Sequence, residues 1–212
     1  DSTVPKKPFS ITLSVSDKID TLVGFFGINQ KPSSSKDPYA LRRTALGIIR
    51  IIIENKKDLR VKDLISYSSN FYLNQGFSFQ NEFLQNDIMI FLRDRFKFYL
   101  KEKDIRHDII EASINAFDLN KISLQFEKSK SLNKVINTQV GYEIISSYKR
   151  AHNILQSEVR DDKKEFSNTT DPGIFKTEFE KNLYKKINEL RKYFQNINKD
   201  EDFDLSINNL AE

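Results

Sequence analysis

The stretch DPYALRRTALGIIR, from Asp37 to Arg50, has the clearest helical pattern in the chain and decides the fold. Asp37 can accept hydrogen bonds from the free amides of a first helical turn. Pro38 suits the first helical position, where the N–H that proline lacks would have no partner. The apolar residues that follow recur every three or four positions, as on one face of a helix. We therefore predict a helix from Pro38 to about Asn55.

The same apolar spacing recurs on both sides of this helix. Further helices are predicted at 11–26, 61–73, 79–101, 106–116, 122–133, 140–155 and 175–194, with a shorter one at 203–210. Five prolines and six glycines in 212 residues are too few for the frequent turns of a β-sandwich. The sequence therefore predicts an all-α protein built from helical bundles, with exposed loops at 27–36 and 156–173.

Composition limits the possible functions. The net charge is +4, from 34 Lys and Arg against 30 Asp and Glu, so partners have to be inferred from local patches. The absence of cysteine excludes disulfides, thiolate metal sites and a cysteine nucleophile. No apolar run approaches the roughly 18 residues that a membrane span requires. We expect a soluble, cytoplasmic protein without a membrane partner.

The predicted helix at 38–55 has two unlike faces. Its buried face is formed by Leu41, Ala45, Ile48, Ile49 and Ile52, and its opposite face by Arg43, Gly47, Arg50, Glu54 and Lys57. Gly47 costs about 1 kcal/mol relative to alanine inside a helix, which suggests that another backbone, either a phosphate chain or a helix, approaches closely. Arg42 should be partly buried and pair with Asp17, Asp20 or Asp37.

Three basic surfaces are candidates for binding phosphates, and for the first of them the alternative is a solvated helix face with a glycine that allows helix packing. They comprise Arg43, Arg50 and Lys57; then Arg93, Arg95, Lys97 and Lys101 interleaved with Phe96, Phe98 and Tyr99; and finally Lys149, Arg150 and Asn153 with Ser146 one turn earlier. Most aromatic residues of the second surface are expected in the core. The third surface is the best candidate by the geometry of its helix face.

Two adjoining stretches, DKIDTLVGFFGINQKP at 17–32 and SKDPYALRRTALGIIRI at 35–51, resemble the β subunit of bacterial glycyl-tRNA synthetase in order and in loop length. Further similarity lies at 91–100, 141–155 and 186–194. The resemblance implies a part of a glycine-tRNA ligase, a class II aminoacyl-tRNA synthetase. In that family the α subunit holds the active site for glycine and ATP with Mg, and the β subunit binds tRNA(Gly) in an assembly of two α and two β subunits.

The resemblance also implies a domain organisation. Residues 1–60 correspond to the end of an HD-like helical domain, and residues 61–212 to a helical anticodon-binding region with a polar loop near 156–173. We expect the chain to be a truncated piece of the subunit, because the last helices of the family follow the motif matched by Leu210 to Glu212. We expect this piece alone to be non-catalytic, to hold no cofactor and to bind no DNA.

Asp17, in SDKID, matches the final metal-binding aspartate of HD phosphohydrolases. No matching histidines precede it, so we predict that Asp17 pairs with Arg42 or Arg43 and binds no metal. The adjacent pair His107 and Asp108 is not expected to form a site, and no catalytic triad or phosphate-binding loop occurs. Two alternatives remain, an HD-type phosphohydrolase remnant and a structural module packing on the α subunit, which would bury Arg43 and Gly47.

Overall fold

The computed structural model describes residues 3–116, 119–162 and 170–196. This part of the chain contains helices and no strand, which confirms the predicted all-α fold. The α-helices are α1 (Pro8–Gly27), α2 (Leu41–Glu54), α3 (Val61–Asn74), α4 (Leu84–Glu102), α5 (His107–Ala116), α6 (Ile122–Ile136), α7 (Gln139–Asp162) and α8 (Glu178–Asn196), and Pro172–Ile174 forms a 3-10 turn. The helix predicted at 203–210 lies outside the described residues.

The chain forms two compact units, residues 1–130 and 131–212. In the first unit α1 packs against α2, α3 and α4, and α4 also contacts α2, α3 and α5. Residues on both sides of position 60 therefore share one core. The division at 60, which the family resemblance implies, stays a prediction about how the family is organised.

Helix α2 is central to the core of the first unit. Its predicted apolar face is fully buried, with Ile48, Ile49 and Ile52 at 0% exposure. Burial of each such side chain contributes about 1.5–3 kcal/mol before entropy is counted. Ile51 and Ile53 are buried as well, so the apolar contact extends beyond one face near the end of α2.

The start of α2 differs from the prediction at Pro38. The helix begins at Leu41, because Ala40 adopts a left-handed conformation (φ 55°, ψ 32°) that interrupts helical geometry. Pro38 lies in the preceding turn, in which the amide of Ala40 donates to the carbonyl of Asp37 at 3.2 Å. The carboxylate of Asp37 reaches across this turn and accepts from the amides of Leu41 and Arg42, at 2.8 and 3.0 Å. Asp37 thus caps α2.

The predicted helix at 79–101 begins later than expected. The ring of Phe79 packs where a side chain on Gly27 would lie, at the end of α1. Nearby, the amide of Gln80 donates to the Gly27 carbonyl at 2.9 Å, and the Asn81 side chain donates to the Phe26 carbonyl at 3.3 Å. These contacts turn the chain away from helical geometry, so α4 begins only at Leu84.

The second unit contains the end of α6 with α7 and α8. Helix α7 continues to Asp162, so the first part of the predicted loop at 156–173 is helical, and 163–169 lie outside the described residues. Gly141 is required where α7 starts, because a Cβ there would meet the Val135 carbonyl oxygen and lie 2.7 Å from the Cα of Ile136. On α8 the apolar stripe is exposed at Phe179, Leu183 and Ile187.

Candidate nucleic-acid interface

Helix α7 carries the predicted third surface, and all of its principal side chains are exposed. Lys149, Arg150 and Asn153 lie on the solvent side of the helix, with Ser146 half-buried one turn earlier. The ring of Tyr148, which is 67% exposed, stacks on the ring of His152 with centroids 5.9 Å apart and planes 17° from parallel. We call Tyr148, Lys149, Arg150, His152 and Asn153 the α7 surface.

The α7 surface combines the side-chain types that bind single-stranded RNA. Two cations can meet phosphates, and the outer face of an exposed ring can stack on an unpaired base. A shallow groove beside the rings is lined by His152, Asn153, Gln156 and Ser157, whose amide and hydroxyl groups can hydrogen-bond to base edges. Tyr148 and His152 lie four residues apart, so their side chains meet on one face of α7. This spacing is visible in the sequence, although the pair was not among the predicted site residues.

The predicted row of Arg43, Arg50 and Lys57 is only partly formed. Arg43 is exposed on α2, whereas Arg50 Nε lies 3.2 Å from Glu54 Oε1 in an ion pair within the helix. Lys57 does not continue the row, because α2 ends at Glu54 and the helical projection no longer applies. It lies instead beside α1, in a groove shared with Pro8 and Thr12.

Gly47 is approached by a side chain and not by a backbone, so the prediction was wrong in this respect. A Cβ at Gly47 would lie 2.9 Å from Cε and 3.3 Å from Cδ of Lys18, on α1. The methylene groups of Lys18 therefore lie across α2 at Gly47. Lys18 was not among the predicted site residues, since no local pattern shows which α1 side chain crosses α2.

The predicted pairing of Asp17 with Arg42 or Arg43 is wrong. The half-buried Arg42 guanidinium donates to the carbonyl oxygen of Ser33 and, at 3.4 Å, to that of Ser34. The loop before α2 supplies these acceptors, so Arg42 needs no carboxylate. Asp17 is exposed and lines an open groove between α1 and α3.

Asp20, one of the predicted partners of Arg42, contacts side chains of α3 instead. Its carboxylate accepts from Ser68 Oγ at 3.2 Å and from Tyr72 Oη at 3.1 Å, which ties α1 to α3. Burial, followed by the hydrogen bond to Asp20 and its negative charge, raises the pKa of Tyr72. Asp20 is thus a structural residue of the first unit.

The second predicted surface, on α4, is divided by its contacts. Arg93 is exposed, whereas the Arg95 guanidinium lies 5.9 Å from the centre of the Phe91 ring. The buried Nε of Arg95 has no hydrogen-bond partner among the described residues. Lys97 Nζ contacts both carboxylate oxygens of Glu111, at 2.9 and 3.1 Å, and these hydrogen bonds lower the pKa of Glu111. Because α-helical positions 93 and 95 point in nearly opposite directions, they do not form one binding surface.

Two further findings concern the part of the chain that the structure describes. No group of three or more His, Cys, Asp or Glu side chains in these ranges is placed to hold a metal ion. None of the described helices is both long and apolar enough to cross a bilayer.

The described residues define an all-α protein that exposes basic and aromatic side chains together on α7. Residues 1–115 match the family model described as glycyl-tRNA synthetase beta subunit. The chain therefore belongs to the glycyl-tRNA synthetase β-subunit family.

Curated relatives named glycine–tRNA ligase beta subunit agree with this assignment. The protein of Rickettsia canadensis is 37% identical over 200 residues, which is 94% of this chain and 28% of the relative. Those of Cereibacter sphaeroides and Paracoccus denitrificans are 34% and 31% identical, covering 85% and 98% of this chain and 26% and 29% of the relatives. The chain thus spans less than a third of the length of these relatives.

Proposed function

We propose that this chain is part of the β subunit of a glycine-tRNA ligase and contributes tRNA binding to the ATP-dependent glycylation of tRNA(Gly) in the cytoplasm. Membership of the β-subunit family supports a role in charging tRNA with glycine. The α subunit, as the partner, would hold the class II active site that uses ATP and Mg. The observation that carries tRNA binding by this chain is the α7 surface, where exposed cations adjoin an exposed aromatic pair.

Each group of the α7 surface has a defined part in this proposal. Lys149 and Arg150 meet backbone phosphates, and the affinity they provide falls as salt rises. The Tyr148 ring offers a face on which one unpaired base can stack, an interaction worth about 1–3 kcal/mol. The side-chain amide of Asn153 can donate to and accept from a base edge.

Charge reversal on α7 tests the proposal. In the complete α and β assembly, we expect Lys149→Glu with Arg150→Glu to weaken tRNA(Gly) binding at least tenfold at low salt, because two phosphate contacts become repulsive. Binding titrations over a range of salt concentrations measure the effect, and circular dichroism checks the fold.

The matched control is Lys185→Glu with Lys186→Glu, which changes the same charge at two neighbouring exposed positions of α8. We expect this control to bind tRNA as the parent does. Equal affinity of the α7 variant and the parent, with the same salt dependence, would show that the α7 surface does not bind tRNA.

A structural module that packs on the α subunit is the second candidate function. The exposed apolar stripe of α8, at Phe179, Leu183 and Ile187, favours it, because contiguous apolar surface is typical of protein contacts. Leu183→Asp with Ile187→Asp would then dissociate the subunits in analytical ultracentrifugation. The phosphohydrolase alternative receives no support from the described acidic and histidine side chains.

A further inference from the structure

We infer that Lys18, Arg43 and Arg50 form a second binding site for RNA backbone phosphates, in the first unit, and that Gly47 positions Lys18 in it. This inference rests on the proposed function, since it assumes that the polyanion is tRNA. It adds a cation that lies outside the predicted basic surfaces, and it gives a reason for a glycine inside a helix.

The geometry around Gly47 brings the Lys18 side chain to the face of α2 that carries Arg43 and Arg50. Arg43 and Arg50 lie four residues before and three residues after Gly47, so all three positions share one face of α2. The Lys18 methylene groups lie against that face at Gly47, a position between those of the two arginines in the helix. Seven residues of helix rise about 10 Å, and one strand of a nucleic-acid duplex advances about 3.4 Å per phosphate. The row therefore has the length of several successive phosphates.

The charges on this surface are predominantly positive. Lys18 is half-buried and Arg43 is exposed, and neither side chain forms an ion pair with the part of the chain described here. Glu54 is the acidic side chain on this face of α2, and it accepts from Arg50. Arginine can bind a phosphate through two N–H groups, whereas lysine acts as a point charge, so a phosphate between Lys18 and Arg43 would use both modes.

Gly47 acts here as a positioning residue. A methyl group at this position would displace Lys18 Cδ and Cε, which belong to the flexible end of a side chain. Gly47→Ala therefore moves the ammonium group while keeping every charge, and alanine also favours the helix more than glycine does. A packing role alone would change stability but would leave the salt dependence of RNA binding as it is.

The test compares Lys18→Met and Gly47→Ala in the complete α and β assembly. Methionine keeps the length of the side chain and removes the charge, so we expect the slope of log K against log salt for tRNA(Gly) to fall in magnitude by about 1. The ratio of the tRNA affinity at 50 mM salt to that at 200 mM salt should fall about three- to fourfold, because one phosphate contact is lost. Gly47→Ala should change the slope in the same direction, with thermal stability equal to or above that of the parent.

Lys36→Met, in the exposed loop before α2, is the control and should keep the parental slope. An unchanged slope for Lys18→Met would overturn the proposed phosphate site in the first unit. The proposed function would still stand if Lys149→Glu with Arg150→Glu binds tRNA more weakly than the parent. A changed slope for Lys18→Met alone overturns the role of Gly47. Weaker association with the α subunit at an unchanged tRNA slope would assign this surface to an acidic protein partner and also overturn the inference.

Discussion

Asp37 caps α2 although it lies four residues before Leu41, the first residue of the helix. Its carboxylate reaches the helix across the intervening turn. Both carboxylate oxygens accept a main-chain amide, one from Leu41 and one from Arg42. Two otherwise unsatisfied amides of the first turn are thus paired by one side chain.

We expect Asp37→Ala to lower the free energy of unfolding by about 1 kcal/mol, within the range of other capping residues. Asp37→Asn should lose less, because the amide oxygen can still accept one of the two bonds. Urea unfolding followed by circular dichroism measures both variants. Parental stability of Asp37→Ala would mean that the two amides find other acceptors.

Asp87 joins the loop after α1 to the start of α4. Its Oδ2 lies 2.5 Å from Lys31 Nζ and 3.0 Å from Asn81 Nδ2, and these hydrogen bonds, chiefly that from Lys31, lower the pKa of Asp87. A carboxyl group with a lower pKa in the folded state stabilises the fold above its unfolded pKa, and this contribution disappears as pH falls through the folded pKa.

We expect Asp87→Asn to be less stable than the parent by about 0.5–1 kcal/mol near neutral pH, a modest value because the ion pair is partly solvated. The difference should stay constant down to about pH 5, decrease below the ordinary carboxyl pKa and vanish once the pH lies below the lowered pKa of folded Asp87. Urea unfolding over a pH series measures it. A difference that persists at the acid end would show that the charge of Asp87 is not the cause.

At the scale of single residues, the sequence allowed polarity and burial to be predicted, but not the partners. Arg42 is half-buried as expected, yet it donates to loop carbonyls because the loop before α2 folds over it. The close approach expected at Gly47 exists, yet it comes from Lys18. Partners of this kind depend on how distant segments meet, which local spacing does not record.

Helices were predictable where the apolar period agrees with the packing. The helices predicted at 11–26 and 61–73 correspond to α1 and α3. Helix α1 buries its predicted apolar face, whereas α3 buries Val61 and Ile65 and leaves Phe71 exposed. At 79–83 the period continues while the chain turns, since Phe79 packs on α1 and Phe83 is 68% exposed. Helix α7 outlasts its apolar pattern, which shows that polar residues can extend a helix without burial.

Two helical glycines provide a matched comparison at the scale of elements. A Cβ on Gly141 would meet the main chain of Val135 and Ile136, which cannot move without shifting the end of α6, whereas a Cβ on Gly47 would meet a flexible side chain. We expect Gly141→Ala to destabilise the second unit by about 1–3 kcal/mol, the usual cost of overpacking.

Hydrogen exchange of the α6 and α7 amides, compared between Gly141→Ala and Gly47→Ala, measures this effect. Faster exchange should be confined to the first of the two variants. Equal protection of α7 in the parent and in Gly141→Ala would contradict the close contact at the start of that helix.

At the scale of the whole molecule, the predicted site residues are divided between the two compact units. The α7 surface lies in the second unit, while Arg43, Arg50 and the α4 residues lie in the first. The all-α fold followed from the apolar period and the few prolines and glycines. The extra cation Lys18 could not be found in this way, because it reaches α2 only after the two helices pack.

The connection between α3 and α4 is hydrogen-bonded to the end of α1 through Gln80. Gln80 is solvent-exposed as a residue, yet its amide donates to the Gly27 carbonyl and its own carbonyl accepts from Asn29. Its proton can therefore exchange with solvent only when the connection separates from α1.

We expect the Gln80 amide to exchange as slowly as those of the surrounding helices, with the neighbouring Ser78 amide, which has no hydrogen-bond partner in the described ranges, exchanging fast. Amide-resolved exchange measured by NMR would show this contrast. Similar fast rates at both positions would mean that the connection detaches while the helices stay folded. Slow exchange at Gln80 would make this single loop amide a measure of the cooperative opening of the whole first unit.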